Sequence, residues 1–252
     1  MQEKFTELVE IVRRLRKECP WDKEQTNDSI KAATIEEAYE VVSAIDDKDY
    51  DELKKELGDL LLHIVFHTVI AEESNHFVIE DVIHEITSKL IRRHPHVFSD
   101  TVATTTDEIR QNWEQIKLSE GRKSVIDGLP IHMPALMRAH RMQDKAAKIG
   151  FDWPHIDDVW KKVEEELSEL HTAIKSENQE DIEDEFGDVL FSLVNYARFI
   201  KVNPEDALRR TMKKFEKRFH YIEDQLELKD KKITDSTLEE MDFYWNESKK
   251  LK

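Results

Sequence analysis

Glu36-Glu37-Ala38-Tyr39-Glu40, followed by Glu56-Leu57-Gly58-Asp59, recurs later in the chain as Glu165-Glu166-Leu167-Ser168-Glu169, followed by Glu185-Phe186-Gly187-Asp188. The spacing is the same at every acidic position: 166 − 37, 169 − 40, 185 − 56 and 188 − 59 all give 129. One offset shared by four positions marks an internal repeat, so the 252 residues are expected to form two related units of somewhat over one hundred residues each. Carboxylates three apart on a helix share a face, and two such pairs on packed antiparallel helices converge on one pocket. Four close anions raise one another's pKa, and a divalent cation is the usual compensation.

Working outward, apolar residues recur with helical spacing. Ile35, Ala38, Val41, Val42 and Ile45 form one stripe, and Leu53, Leu57, Leu60, Leu61, Ile64 and Val65 another. Leu8, Ile11, Val12 and Leu15 precede them, and Val78, Val82, Ile83, Ile86 and Leu90 follow until Pro95 interrupts. The second half repeats the order, with Asn203-Pro204 reading as a helix cap and first turn and a last helix carrying Met241, Phe243, Tyr244 and Trp245. No strand pattern stands out. The fold class is therefore all-α, two tandem four-helix-bundle-like domains. Gly121, Gly128, Pro130 and Pro134 place the join, giving domains at 1–118 and 135–252 with a linker at 119–134. Gly58 and Gly187 are each costly inside a helix, which predicts close approach of a helix or a ligand beside the carboxylates.

Glu37, Glu40, Glu56 and Asp59 in the first copy, and Glu166, Glu169, Glu185 and Asp188 in the second, are the candidate metal ligands. Oxygen-only donors indicate a hard ion, Mg²⁺ with Mn²⁺ as a substitute. Glu36 and Glu165 point about 100° away from their neighbours on the helix, and one of them is a candidate to orient or deprotonate a water. Basic groups follow each acidic set: Lys89 and Arg93 align with Lys214 and Arg218, four apart on one helix face, as phosphate oxygens require. Trp21, Trp153 and Trp245 are candidates to stack on a base, with core packing the commoner use of tryptophan; His94 and His96 read as surface or capping residues.

A net charge of −17 argues against nucleic acid as the main partner, while a small anion carried by metal ions is compatible with it. The single cysteine, Cys19, provides no disulfide framework and reads as an inert thiol. The apolar run from Leu60 to Ala71 contains His63 and His67 and is too short to cross a bilayer, which needs about 20 residues. With no hydrophobic leader at Met1-Gln2-Glu3-Lys4-Phe5, the expectation is a cytoplasmic protein without a membrane partner.

Together with Cys19-Pro20-Trp21-Asp22, Arg92-Arg93-His94-Pro95-His96-Val97-Phe98 and Lys145-Ala146-Ala147-Lys148-Ile149-Gly150-Phe151-Asp152-Trp153, the repeated acidic motifs resemble a two-domain MazG protein over nearly the whole chain. That resemblance implies an enzyme, a homodimer that hydrolyses ribo- and deoxyribonucleoside triphosphates of many bases to monophosphate and pyrophosphate with Mg²⁺, keeping the nucleotide pool clean. It implies that Glu166, Glu169, Glu185 and Asp188 are the ligands of a principal second site, that Lys162, Lys214 and Arg218 contact phosphates, and that Trp245 lies near base or ribose. Asn27 stands where the resemblance leads one to expect His, and the Lys54-Lys55 stretch of the first copy is replaced by Asp181 to Asp184 in the second. The competing readings are a narrow-specificity dUTP, dCTP or phosphoribosyl-ATP pyrophosphohydrolase, and a nucleotide-sensing or protein-binding module with a structural metal cluster.

Overall fold

The structure, a computed structural model, describes residues 2–99, 105, 108, 109, 116 and 124–251; residues 119–123 of the expected linker, with Gly121, lie outside them. The chain divides into two compact units, Met1–Thr106 and Asp107–Lys252. Among the described residues every regular element is a helix, as the periodicity predicts.

The first unit consists of α1 (Gln2–Glu18), α2 (Pro20–Glu24), α3 (Asn27–Asp47), α4 (Tyr50–Glu73), α5 (Ile79–Arg93) and the short α6 (Pro95–Phe98). Thr26 caps α3 by accepting from the Ser29 N–H, and Asp49 caps α4 by accepting from the Asp51 and Glu52 N–H groups. Pro95 ends α5 as expected and opens α6. Val9 and Val12 of α1 pack with Ile30, Val65, Phe66, Val69 and Ile79 as the core of this unit. Beside it the Arg16 guanidinium, 8% exposed, is held by Glu73 at 2.5 Å and by the Gln25 carbonyl at 2.9 Å. A charge buried that deeply is tolerated because N–H groups along the edges of the guanidinium meet acceptors while its face lies over the Phe66 ring.

The second unit consists of α7 (Ala135–Lys148), α8 (Ile156–Ser176), α9 (Gln179–Phe199), α10 (Pro204–Glu227), a 3₁₀ turn at Ile233–Asp235 and α11 (Leu238–Ser248). Asn203 caps α10 with Pro204 in its first turn, in agreement with the sequence. Val159, Val163, Val189 and Val194 fill the seam between α8 and α9, and α7 leans on α9, where Gln143 Nε2 donates to the Phe191 carbonyl at 2.8 Å. The last helix seals against α10 through Ile222, Leu226 and Tyr244.

The repeat rests on a shared turn. Lys48-Asp49 joins α3 to α4 and Glu177-Asn178 joins α8 to α9, exactly one repeat apart. In both turns the first residue is left-handed, with φ 57° at Lys48 and φ 56° at Glu177. In both, the second residue caps the next helix with its side-chain oxygen. Two residues suffice to reverse the chain, so the helices run antiparallel and every acidic position keeps its opposite number.

The apolar stripes are only half covered within the chain. Leu57, Leu61 and Ile64 on α4 are 50%, 37% and 44% exposed, and their repeat counterparts Phe186, Leu190 and Leu193 on α9 are 54%, 42% and 42% exposed. Of the close approach of a helix or a ligand that Gly58 and Gly187 predict, a helix of the same chain is not the one: among the described residues a Cβ at either position would meet nothing within 4 Å. Both glycines are exposed, as these apolar residues are, and no described residue presses on them.

Candidate active site

Each α-hairpin gathers carboxylates as the spacing predicts. In the first, Glu37 from α3 meets Glu56 and Asp59 from α4, one oxygen of each lying within 4.8 Å of the others. In the second, Glu166 from α8 meets Glu185 and Asp188 from α9 in the same way. The remaining predicted ligands stand beside these triads, Glu40 close to Glu56 and Glu169 close to Glu166. Carboxylates this close repel one another unless a proton or a cation lies between them.

The titration behaviour records this crowding. Burial, then the nearby Glu40 carboxyl, pushes the Glu56 carboxyl up to about 7. Glu37 is raised by burial and by the charges of Glu40 and Asp59, and Glu169 is raised by burial and by Glu166. In the second cluster Glu185 Oε2 is buried without a hydrogen-bond partner. A buried, unsatisfied carboxylate oxygen inside a ring of oxygen donors is what a hard divalent ion would satisfy, so the residues present fit such an ion.

The two sites are not electrostatically alike. Lys162, one turn before Glu166 on α8, places Nζ 2.8 Å from Glu166 and 2.7 Å from Glu165. These bonds raise the Lys162 pKa and tie the exposed Glu165 to the edge of the cluster. The first copy has Ala33 at this place in the repeat. Its basic pair, Lys54 and Lys55, is instead taken up by Asp51 at 3.1 Å and Glu52 at 2.5 Å, on the exposed side of α4. The second copy, acidic at Asp181 to Asp184 where the first has Lys54-Lys55, thus has a cation against its cluster from the other helix of its hairpin.

Arg218 of α10 and Trp245 of α11 meet, whereas Lys214 lies elsewhere on the surface of α10. The Arg218 guanidinium lies over the Trp245 ring at 5.4 Å, and Phe215 abuts the same ring at 5.2 Å. Lys214 is exposed and lines a surface groove with Arg210, Lys213 and Lys217. Among the described residues no ion pair joins Lys214 or Arg218 to the carboxylates of α8 and α9. Of the other candidates, Trp21 is 64% exposed and His94 caps α6 while its Nδ1 bonds the Leu90 carbonyl at 2.7 Å.

Sequence reasoning missed a hydrogen-bonded chain behind the first cluster. His63 Nε2 lies 3.8 Å from Glu37, and His63 Nδ1 is 3.0 Å from Thr34 Oγ1. Thr34 Oγ1 is in turn 2.8 Å from His67 Nε2, and His67 Nδ1 is 2.7 Å from Asn27 Oδ1. The two histidines sit four apart on α4, a spacing visible in the sequence, but their partners come from α3.

Comparison with known proteins meets this geometry at the same residues. The MazG nucleotide pyrophosphohydrolase domain matches twice, over residues 25–98 and 157–222, each match spanning one acidic hairpin. The chain belongs to the MazG family. It is 45% identical to the Thermotoga maritima nucleoside triphosphate pyrophosphohydrolase/pyrophosphatase MazG, over 97% of this chain and 95% of that one. It is 41% identical to the Escherichia coli nucleoside triphosphate pyrophosphohydrolase, over 96% of each. A solved MazG-related protein from Thermotoga maritima aligns at 25% identity with a TM-score of 0.41, covering 45% of this chain and 98% of that one. As a tandem all-helical MazG enzyme, the chain has among its described residues no helix long and apolar enough to cross a membrane.

Proposed function

We propose that this MazG enzyme hydrolyses ribo- and deoxyribonucleoside triphosphates to monophosphate and pyrophosphate with Mg²⁺, as a homodimer acting on the cytoplasmic nucleotide pool. The observation that carries the proposal is the buried, unpartnered Glu185 Oε2 inside the triad with Glu166 and Asp188. Glu166, Glu185 and Asp188, with Glu169 beside them, would hold the ion, and Glu37, Glu56, Asp59 and Glu40 are their counterparts in the first copy. A bound Mg²⁺ supplies charge for the phosphate oxygens and makes a water more acidic.

The chain's own residues supply the rest. Lys214 and Arg218, four apart on α10, offer charge-assisted hydrogen bonds to phosphate oxygens. Lys162 changes partners from Glu166 to a phosphate oxygen as substrate enters. A water oxygen bonds to the α-phosphorus, the bond from that phosphorus to the bridging oxygen breaks, and pyrophosphate leaves with the electron pair. Glu165, held by Lys162, takes the water's proton. Trp245, held by Arg218 and Phe215 and packed on the α10–α11 core, is the candidate to lie near base or ribose, and an indole contact of that kind reads no base edge, in keeping with broad base tolerance.

Homodimer formation is supported by the matched exposed faces of α4 and α9, where apolar side chains and a glycine lie together. Chromatographic analysis of the products from a panel of triphosphates tests the reaction. Monophosphate and pyrophosphate from most bases are expected, whereas diphosphate and inorganic phosphate would refute the bond choice.

A further inference from the structure

Four cations of α10 share one exposed face. Arg210, Lys213, Lys214 and Lys217 line the same side of the helix, with Ala207 and Thr211 among them, and all four are exposed. The other two arginines of the helix are engaged within the unit, Arg209 with Asp206 and Arg218 over the Trp245 ring. Among the described residues no ion pair engages Arg210, Lys214 or Lys217. Like charges three and four apart destabilise a helix. In a chain of net charge −17 the strip is thus a local reversal of sign, which an anion from outside the chain would relieve.

The apolar side of α10 does not compete for this face. At about 100° per residue, the half-exposed Leu208, Met212 and Phe215 lie on the opposite side of the helix. A partner seated on that stripe would leave the cations facing water. The first copy does not repeat the strip. Its equivalent face on α5, 125 residues earlier, carries Glu85, Ser88, Lys89 and Arg92, with Asp81 and the apolar Val82 and Ile86 beside them.

The shape of the strip selects its ligand. From Arg210 to Lys217 the helix rises about 10 Å, so a single phosphate reaches two neighbouring cations but not all four. A chain of condensed phosphates carries charge at every unit and can lie along the whole row, accepting from lysine and arginine N–H groups. Among the described residues that line the face none is aromatic, so it lacks the stacking platform of a single-strand nucleic-acid site. We propose that this face of α10 binds inorganic condensed phosphate, tripolyphosphate and longer chains, without a metal ion. Lys214 also serves as the proposed substrate contact, so a bound chain competes with nucleoside triphosphate. That competition rests on the reading of Lys214 given above, whereas the binding itself does not.

The test is titration calorimetry of the full chain with pyrophosphate, tripolyphosphate and a longer polyphosphate, in EDTA buffer at fixed ionic strength. EDTA keeps the carboxylate clusters out of the measurement, since anionic oxygens meet phosphate only through a cation. Affinity should rise with each increase in chain length. The double variant Arg210→Gln, Lys217→Gln should bind tripolyphosphate about tenfold more weakly, as the loss of charge-assisted hydrogen bonds requires. Lys31→Gln with Lys54→Gln, which removes two exposed cations of the first unit, should change it less than about twofold if the effect is local rather than one of total charge. No tripolyphosphate binding, equal losses in the two double variants, or an oligothymidylate bound as tightly as polyphosphate overturns the assignment. Each of these leaves the proposed hydrolysis standing, because neither metal nor nucleotide is present. With free Mg²⁺ restored and held constant, tripolyphosphate should raise the KM for nucleoside triphosphate in the wild type and less so in Arg210→Gln, Lys217→Gln. An equal rise in both overturns the competition and leaves the binding site in place.

Discussion

Lys162 Nζ lies 2.8 Å from the buried Glu166 carboxylate, at a place where the first copy of the repeat has Ala33. Among the described residues the same four-carboxylate frame therefore carries a lysine in one copy and none in the other. In the proposed second site the ammonium would compete with a metal ion for Glu166 and would offer its charge to a substrate phosphate. Lys162→Ala should consequently separate two affinities. Mg²⁺ binding without nucleotide should tighten several-fold, while kcat/KM for triphosphate falls about 10- to 100-fold, the worth of one charge-assisted hydrogen bond. Titration calorimetry of Mg²⁺ set beside steady-state kinetics measures both, and parallel losses in both would contradict a competing role.

The first copy, lacking that cation, should show its crowding in pH dependence. The Glu56 carboxyl titrates at about 7 in the folded protein and near its ordinary 4.5 when unfolded. Between these values the native state holds a proton that the unfolded chain has lost. Stability from this group is therefore fully present below about pH 4.5 and is lost as pH rises toward and through 7. In metal-free buffer, Glu56→Gln should flatten the fall in melting temperature over that window, and saturating Mg²⁺ should do the same in the wild-type chain. A wild-type melting profile that is already flat from pH 5 to 8, once other titrating groups are matched by the variant, would count against the raised carboxyl.

The shared turn offers a test of how the repeat is held in register. Lys48 and Glu177 occupy left-handed backbone at φ 57° and 56°, a conformation that costs a residue with a Cβ roughly 1–2 kcal/mol. Replacing either by Gly relieves that cost and adds entropy to the unfolded chain, for a net gain of about 0.5 kcal/mol per site. Asp49→Ala and Asn178→Ala, which remove the caps of α4 and α9, should each cost about 1 kcal/mol. Denaturant unfolding of the four single variants provides the comparison, and a destabilising Lys48→Gly would show that the side chain, not the backbone, matters there.

These elements also show what the sequence makes legible. The repeat offset, the helices and the two carboxylate triads follow from residue spacing, because a helix converts sequence separation into direction. The Asn203 cap and the break at Pro95 are readable for the same reason: their causes are local. The chain from His63 through Thr34 to Asn27 is not, since its donors and acceptors meet across two helices and no spacing rule links position 63 to position 34. His63 and His67 read from the sequence only as polar interruptions of an apolar run. The helices of Gly58 and Gly187, α4 and α9, read from the sequence as central or shared with a partner subunit because they are apolar on most sides, but periodicity does not choose between the two.

What covers the exposed faces of α4 and α9 can be tested directly. Leu61 and Leu190 hold equivalent places on α4 and α9 and are 37% and 42% exposed. A charge at a buried subunit interface costs several kcal/mol, whereas at a solvated position it costs little. Leu61→Asp and Leu190→Asp should each shift the chain from dimer toward monomer in sedimentation velocity while leaving helical content unchanged. An unaltered sedimentation coefficient in both variants would mean that these faces are not the dimer contact.

Hydrolysis in ¹⁸O-water, read by mass spectrometry of both products in the wild type, Glu56→Gln and Glu185→Gln, bears most directly on the proposed chemistry. The wild type should place one ¹⁸O in the nucleoside monophosphate and none in pyrophosphate, and Glu185→Gln should abolish most of the reaction because it removes the buried carboxylate at the centre of the second cluster. Label appearing in pyrophosphate, or full activity in both variants, would contradict attack at the α-phosphorus supported by these carboxylates.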